Sequence, residues 1–129
     1  MVIDSSAIVA ILFDEPERDT FARLIDEARS RLVSAVNRVE TSFVVEGRKG
    51  FAGRERLDRF FRLTSTEIVG VTPEQAEAAV EAFRRFGRGR HPARLNIGDC
   101  FAYALAKTTG EPLLYKGRDF AQTDIVAVA

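Results

Sequence analysis

The sequence predicts a three-layer α/β domain: a central, largely parallel sheet of about five strands, flanked by helices. Three observations predict it. Short apolar runs recur along the chain, at Met1-Val2-Ile3, Leu32-Val33, Ile68-Val71, Leu113-Tyr115 and Ile125-Val128. Between them lie stretches with apolar residues at helical spacing. The two signals alternate throughout, with no linker, so residues 1–129 are expected to form one domain.

Met1-Val2-Ile3 reads as a buried strand with Asp4 at its carboxyl end. Ser5-Ser6 opens a short buried helix over Ala7–Phe13, closed by Asp14-Glu15-Pro16. Pro16 suits a first helical residue, and Phe21, Leu24, Ile25 and Ala28 follow at helical spacing. After Leu32-Val33, Ser34 caps a helix carrying Val36, Val39, Phe43 and Val44 on one face, the expected core face. Gly47, Gly50 and Gly53 end it, and Leu57, Phe60, Phe61 and Leu63 mark another. Thr72-Pro73-Glu74-Gln75 is a strong helix start, with a cap, a proline at the first position and a capping-box Gln. Ala76, Ala79, Val80 and Phe83 form the apolar face of that helix, and Gly87 and Gly89 break it. Asn96 starts the last helix, with Phe101, Ala102, Leu105 and Ala106, and Gly110 and Pro112 stop it.

Composition excludes several classes. The chain has 129 residues, 46% of them hydrophobic, with 19 basic and 19 acidic side chains and no formal net charge. Any nucleic-acid contact must therefore come from a local patch. One cysteine, Cys100, rules out an intrachain disulfide and a cysteine-based zinc site. The N-terminus lacks signal-peptide character, and no apolar run approaches the roughly 18 to 20 residues of a membrane span. The expected location is the cytoplasm.

Four carboxylates lie in or beside apolar segments: Asp4, Glu40, Asp99 and Asp119. A buried carboxylate must be paired, hydrogen-bonded or neutralised by a cation. Each also has a plainer reading. Asp4 could cap a helix. Glu40, on the apolar stripe between Val36 and Phe43, could pair with Arg38 or Arg48, and Glu46 competes with it. Asp99 stands at capping-box spacing from Asn96. Asp119 could be a turn residue neutralised by Arg118, and Asp124 has the same reading. Ligands of open α/β sheets bind outside the carboxyl ends of strands, where Asp4 lies and just beyond which Asp119 lies.

Together these segments resemble the PIN-domain ribonucleases, specifically the VapC toxins of type II toxin–antitoxin pairs. Val2-Ile3-Asp4-Ser5-Ser6-Ala7, Ser34 to Glu40, Leu95-Asn96-Ile97-Gly98-Asp99-Cys100-Phe101-Ala102, and Pro112 to Phe120 followed by Thr123-Asp124-Ile125 carry the resemblance across the chain. It implies a PIN fold, an endoribonuclease needing Mg²⁺ (or Mn²⁺), a homodimer, an RNA substrate and a cognate VapB-type antitoxin. It implies Asp4, Glu40, Asp99 and Asp119 as catalytic carboxylates, with Asp4, Asp99 and Asp119 as metal ligands. Ser6 and Asp124 are supporting residues, and Asp119 is preferred over Asp124 because it stands in a Gly-x-Asp-Phe pattern. Hard divalent ions favour oxygen ligands of this kind.

An acidic pocket repels RNA, so a cationic surface is needed. Residues 82 to 98 hold Arg84, Arg85, Arg88, Arg90 and Arg94 and no acid, and Gly87, Gly89 and Pro92 suggest a mobile loop. These arginines are the expected RNA-binding group, against the plainer reading of a solvated helix end. Two rival functions use the same residues. One is a non-nuclease, metal-dependent phosphoryl-transfer enzyme with Lys116 beside the phosphate. The other is a binding module whose acidic pocket receives a basic peptide.

Overall fold

The structure, a computed structural model, describes residues 1–128; Ala129, the last residue of the expected domain, lies outside them. The elements run β1 (Val2–Ile3), α1 (Ser5–Leu12), α2 (Arg18–Glu27), β2 (Leu32–Ser34), α3 (Ala35–Thr64), β3 (Glu67–Val69), α4 (Pro73–Phe86), α5 (Ile97–Thr109) and β4 (Leu113–Leu114). The sheet is parallel, in the order β3-β2-β1-β4.

Strands this short still separate two cores, because successive side chains point to opposite faces. Val2, Leu32 and Leu113 face α4 and α5, where Leu95, Leu105, Tyr103 and Phe86 are buried. Ile3, Val33 and Leu114 face α1, α2 and α3, against Ile8, Ile25, Val45 and Leu57. Helices thus cover both sheet faces, and the three-layer expectation holds. Val2 and Ile3 are wholly buried, each burial contributing about 1.5–3 kcal/mol.

The expected fifth strand does not form. Ile125–Val128 makes one parallel bridge, Ala127 to Leu113. Asp124 is tied to α5 through Tyr103 and Lys107, so only the final residues swing alongside β4. The expected pair of helices around the glycines runs as α3, broken at Gly50, whose φ of 57° is left-handed. Only that glycine needs the break; Gly47 stays helical. Helix α2 starts at Arg18, two residues after Pro16, because Asp14 takes a left-handed turn first.

Helix α3 departs most from its pattern. Val39 and Phe43, expected in the core, are 50% and 74% exposed. The buried stripe is Asn37, Thr41 and Val45, at i, i+4 and i+8. Its polar members are accommodated by hydrogen bonds, Thr41 Oγ1 donating to the Asn37 carbonyl at 2.6 Å. The segment from Gly87 to Leu95 is closed at its base by backbone hydrogen bonds. Arg88 N donates to Leu95 O at 3.0 Å, and Leu95 N to Phe86 O at 2.9 Å.

Candidate active site

Because every strand is parallel, the ends of β1, β2 and β4 open on one edge, and each delivers part of the site. Asp4 follows β1 and caps α1. Its Oδ2 accepts from Ser6 N at 3.0 Å and Ser6 Oγ at 2.5 Å. Ser6 Oγ in turn accepts from Lys116 N, beyond β4, at 2.9 Å. The capping reading of Asp4 is therefore correct, yet the residue is only 4% exposed. Burial pushes its carboxyl up to about 7 against the pull of the Ser6 hydrogen bonds, and the charges of Asp99 and Glu40 add to the rise.

Ser34, at the end of β2, caps α3 through Val36 N at 3.2 Å, a contribution of about 1 kcal/mol. Two turns in, Glu40 accepts from Ser5 Oγ at 2.6 Å and Asn37 Nδ2 at 3.3 Å. Neither expected arginine partner is used. Arg38 bonds Ser42 and Asp58 and lies over Phe61, and Arg48 lies over Phe13. Glu46 is exposed.

Asp99 occupies the third position of α5 and closes a capping box with Asn96, as its spacing suggested. Burial pushes it up to about 6; the Asn96 N–H opposes the rise, Asp119 and Glu40 add to it, and Arg88 offsets it. Asp119 is exposed, at the entry to a short 3₁₀ turn, Phe120–Gln122. Asp4, Glu40, Asp99 and Asp119 thus share one electrostatic field.

Asp124 does not join them. It accepts from Tyr103 Oη at 2.6 Å and Lys107 Nζ at 3.0 Å, and Arg85 stands at 3.6 Å. These partners hold its carboxyl below the usual carboxylate range. These contacts join the C-terminal segment to α4 and α5.

The donors of the site are all oxygens, the chemistry of a hard divalent ion. Two carboxyls driven toward neutrality mark a place short of positive charge, which such an ion would supply. Among the described residues, no three His, Cys, Asp or Glu side chains already stand grouped for a metal. Each carboxylate is turned onto a neighbouring donor: Asp4 onto Ser6, Glu40 onto Ser5 and Asn37, Asp99 onto the Asn96 N–H.

The arginines divide. Arg84 pairs with Glu81 at 3.5 Å, while Arg85 pairs with Asp124 and lies over Phe86. Arg88, Arg90 and Arg94 are exposed and in no ion pair among the described residues. His91 caps a turn, its Nδ1 accepting from Ala93 N at 3.0 Å. Sequence reasoning missed Ser5 and Asn37, which hold Glu40. The available signal was that Asn37 lies three residues before Glu40, on its side of the helix.

Comparison with known proteins agrees with this architecture. The PIN domain family model matches residues 1–126. Ribonuclease VapC30 of Mycobacterium tuberculosis is 47% identical over 129 residues, covering 100% of this chain and 98% of that one. The chain belongs to the PIN domain family, and its whole-length similarity places it with the VapC ribonucleases. Solved structures share the fold. The sarcin-ricin loop cleaving toxin VapC20 of M. tuberculosis superposes with a TM-score of 0.77 at 20% identity, over 97% of this chain and 95% of that one. VapBC2 of Rickettsia felis, bound to a DNA fragment from its promoter, gives 0.77 at 12% identity, over 98% and 94%. Among the described residues, no helix is long and apolar enough to cross a membrane.

Proposed function

We propose that this chain is the cytoplasmic toxin of a type II toxin–antitoxin pair, an endoribonuclease that hydrolyses RNA phosphodiester bonds with a divalent cation. The observation that carries the reading is Asp4, a carboxyl buried at a strand end and pushed up to about 7, with the charges of Asp99 and Glu40 adding to the rise. Asp4, Asp99 and Asp119 would hold Mg²⁺, or Mn²⁺ in its place, with Glu40 in the catalytic set. When bound, the cation lowers the pKa of the attacking water and stabilises charge on the phosphoryl oxygens. The water oxygen forms the new bond to phosphorus and the bond to the 3′ oxygen breaks. That oxygen takes a proton, leaving a 5′-phosphate and a 3′-hydroxyl. Ser6 keeps Asp4 oriented from β4.

The phosphomonoester rival is disfavoured by Lys116. Its Nζ is engaged by Glu15 at 2.7 Å and Glu17 at 3.3 Å, and is not free for a phosphate. The direct test is RNA incubated with Mg²⁺, Mn²⁺ or EDTA, beside an Asp99→Asn control. Discrete metal-dependent fragments with 5′-phosphate ends, absent from the control, support the reading. Folded protein inert with both ions would overturn it.

For the RNA-binding group, the unpaired Arg88, Arg90 and Arg94 carry the reading further than Arg84 and Arg85, which already have acidic partners. Replacing the first three by Ala should flatten the salt dependence of RNA binding by about 2 in log–log slope. The Arg84/Arg85 pair should change it less. Filter binding on a cleavage-inactive background checks this, and equal effects would return the patch to a solvated helix end.

A homodimer is supported by the inverted pattern of α3. Val36, Val39 and Phe43 form an apolar face with Ile97 beside Glu40 and Gly98. Phe43 and Ile97 are each 74% exposed. Contiguous faces of this kind mark interaction sites. Phe43→Glu should convert dimer to monomer, weakening association at least about a hundredfold, while the chain stays folded. Sedimentation equilibrium checks it, and a wild-type monomer would remove the dimer from the proposal. The cognate antitoxin of the VapB type completes the partners, by analogy with the complex formed by the R. felis protein.

A further inference from the structure

Asn37 is wholly buried, one turn ahead of Glu40 on α3. Its Nδ2 has three acceptors: the Gly98 carbonyl at 3.0 Å, Glu40 Oε1 at 3.3 Å and Ser5 Oγ at 3.3 Å. An amide nitrogen has two hydrogens to offer them. Turning the amide over would set its oxygen against a carbonyl and a carboxylate, so the orientation is dictated from this side. The consequence lies at the other end of the group. Among the described residues, Asn37 Oδ1 is buried without a hydrogen-bond partner, an unfavourable state for a polar atom. The bonds of this side chain are all made by its nitrogen.

Gly98 completes the arrangement from α5. Its backbone is not left-handed, so its conformation does not demand glycine. A Cβ at this position would run into the Glu40 carboxylate. The bare Cα leaves the floor on which that carboxylate lies. Two residues 61 apart in the chain, one on α3 and one on α5, therefore meet through the Asn37–Gly98 bond, with Glu40 held between Asn37, Ser5 and the first turn of α5.

We propose that Asn37 and Gly98 are positioning residues for cleavage: Asn37 anchors the Glu40 carboxylate to the start of α5, and Gly98 makes room for it. The inference rests on the nuclease reading above. Gly98→Ala is the sharpest probe, because alanine suits the helix better than glycine and the atoms it meets are the tip of a flexible side chain. It should fold with a Tm within about 2 °C of wild type, yet lose activity.

The experiment compares wild type, Asn37→Ala, Gly98→Ala, Glu40→Ala and the two doubles with Glu40→Ala, per mole of folded protein. Each Asn37 and Gly98 single variant should lose about 10–100-fold in kcat, with KM for a short RNA within about twofold. Mn²⁺ affinity, read by electron paramagnetic resonance of the free ion, should weaken about tenfold in both, because a displaced Glu40 no longer sets its charge against Asp4 and Asp99. On the Glu40→Ala background neither should lower kcat further, whereas a merely structural role would add its loss to that of Glu40. If Asn37→Ala does not fold, Gly98→Ala decides alone. Wild-type kcat or Mn²⁺ affinity in folded Gly98→Ala, or losses that multiply with Glu40→Ala, would overturn the positioning role. A wild type that cleaves no RNA would overturn the nuclease reading and this one with it; an active wild type with unaffected variants overturns this one alone.

Discussion

Asp4→Asn should lose RNA cleavage on the order of 10³-fold and, at pH 8 without metal, melt higher than wild type. The two effects share a cause. Asp4 is buried beside Asp99 and Glu40, and its carboxyl is pushed from 3.8 up to about 7. A folded-state pKa above the unfolded value means that folding disfavours the charged form. The penalty is absent below pH 4, grows as pH rises from there to 7, and is full above 7. The shift corresponds to a penalty on the order of 4 kcal/mol. Asn removes the charge while its carbonyl oxygen still accepts from Ser6 N, so the cap on α1 survives. Differential scanning calorimetry in EDTA should show Tm up by about 5–15 °C at pH 8 and little change at pH 4. A variant that melts lower at pH 8 would show that the charge is not the strained element of this fold. A folded variant that still cleaves would remove Asp4 from the chemistry.

Magnesium should stabilise the wild type at pH 8 and hardly at all at pH 4. Asp99, pushed up to about 6, loses stability between pH 4 and 6 as Asp4 does between 4 and 7. Both groups therefore destabilise the metal-free protein near neutrality, and stability should fall as pH rises from 4 to 7 on their account. A divalent ion among them favours the ionised forms and offsets the penalty. With ion at 100 times its Kd, the gain is about 2.7 kcal/mol, which is several degrees in Tm. At pH 4 protons occupy the same oxygens and the ion has little to bind. Melts across pH with and without Mg²⁺ check both slopes. A Tm insensitive to Mg²⁺ at pH 8 would argue against a cation at this site.

How far the sequence foretold the molecule differs between its parts. Elements set by local chemistry were legible: the Thr72-Pro73 start of α4, the Asn96–Asp99 box of α5, and the Ser34 cap of α3 all form. So did the two-sided sheet, since alternation at Val2-Ile3 and Leu32-Val33 requires cover on both faces. The inside of α3 was not legible. Hydrophobic periodicity assumes that apolar residues face inward, and here Asn37 and Thr41 take the interior while Val39 and Phe43 face out. Only long-range partners, Ser5 and Gly98, reveal why. The last strand failed for a related reason: Asp124 ties the segment to α5, a contact that no local pattern encodes. Within the candidate site, the carboxylates stood out as charges in apolar company. Their separate hydrogen-bond partners could not be read from spacing.

The parallel pairing of β1 with β4 has a consequence for how the chain is made. Val2 N is bonded to Pro112 O at 2.8 Å and Asp4 N to Leu114 O at 2.9 Å, while Ser6 Oγ takes its hydrogen bond from Lys116. The first strand thus finds one of its two neighbours only 110 residues further along the chain. A nascent chain stopped before β4 carries Asp4 but lacks the backbone that seats it, and it lacks Asp119 altogether. On the reading above, nuclease competence then waits on the synthesis of β4 and Asp119, and chains stopped before them should not cleave RNA.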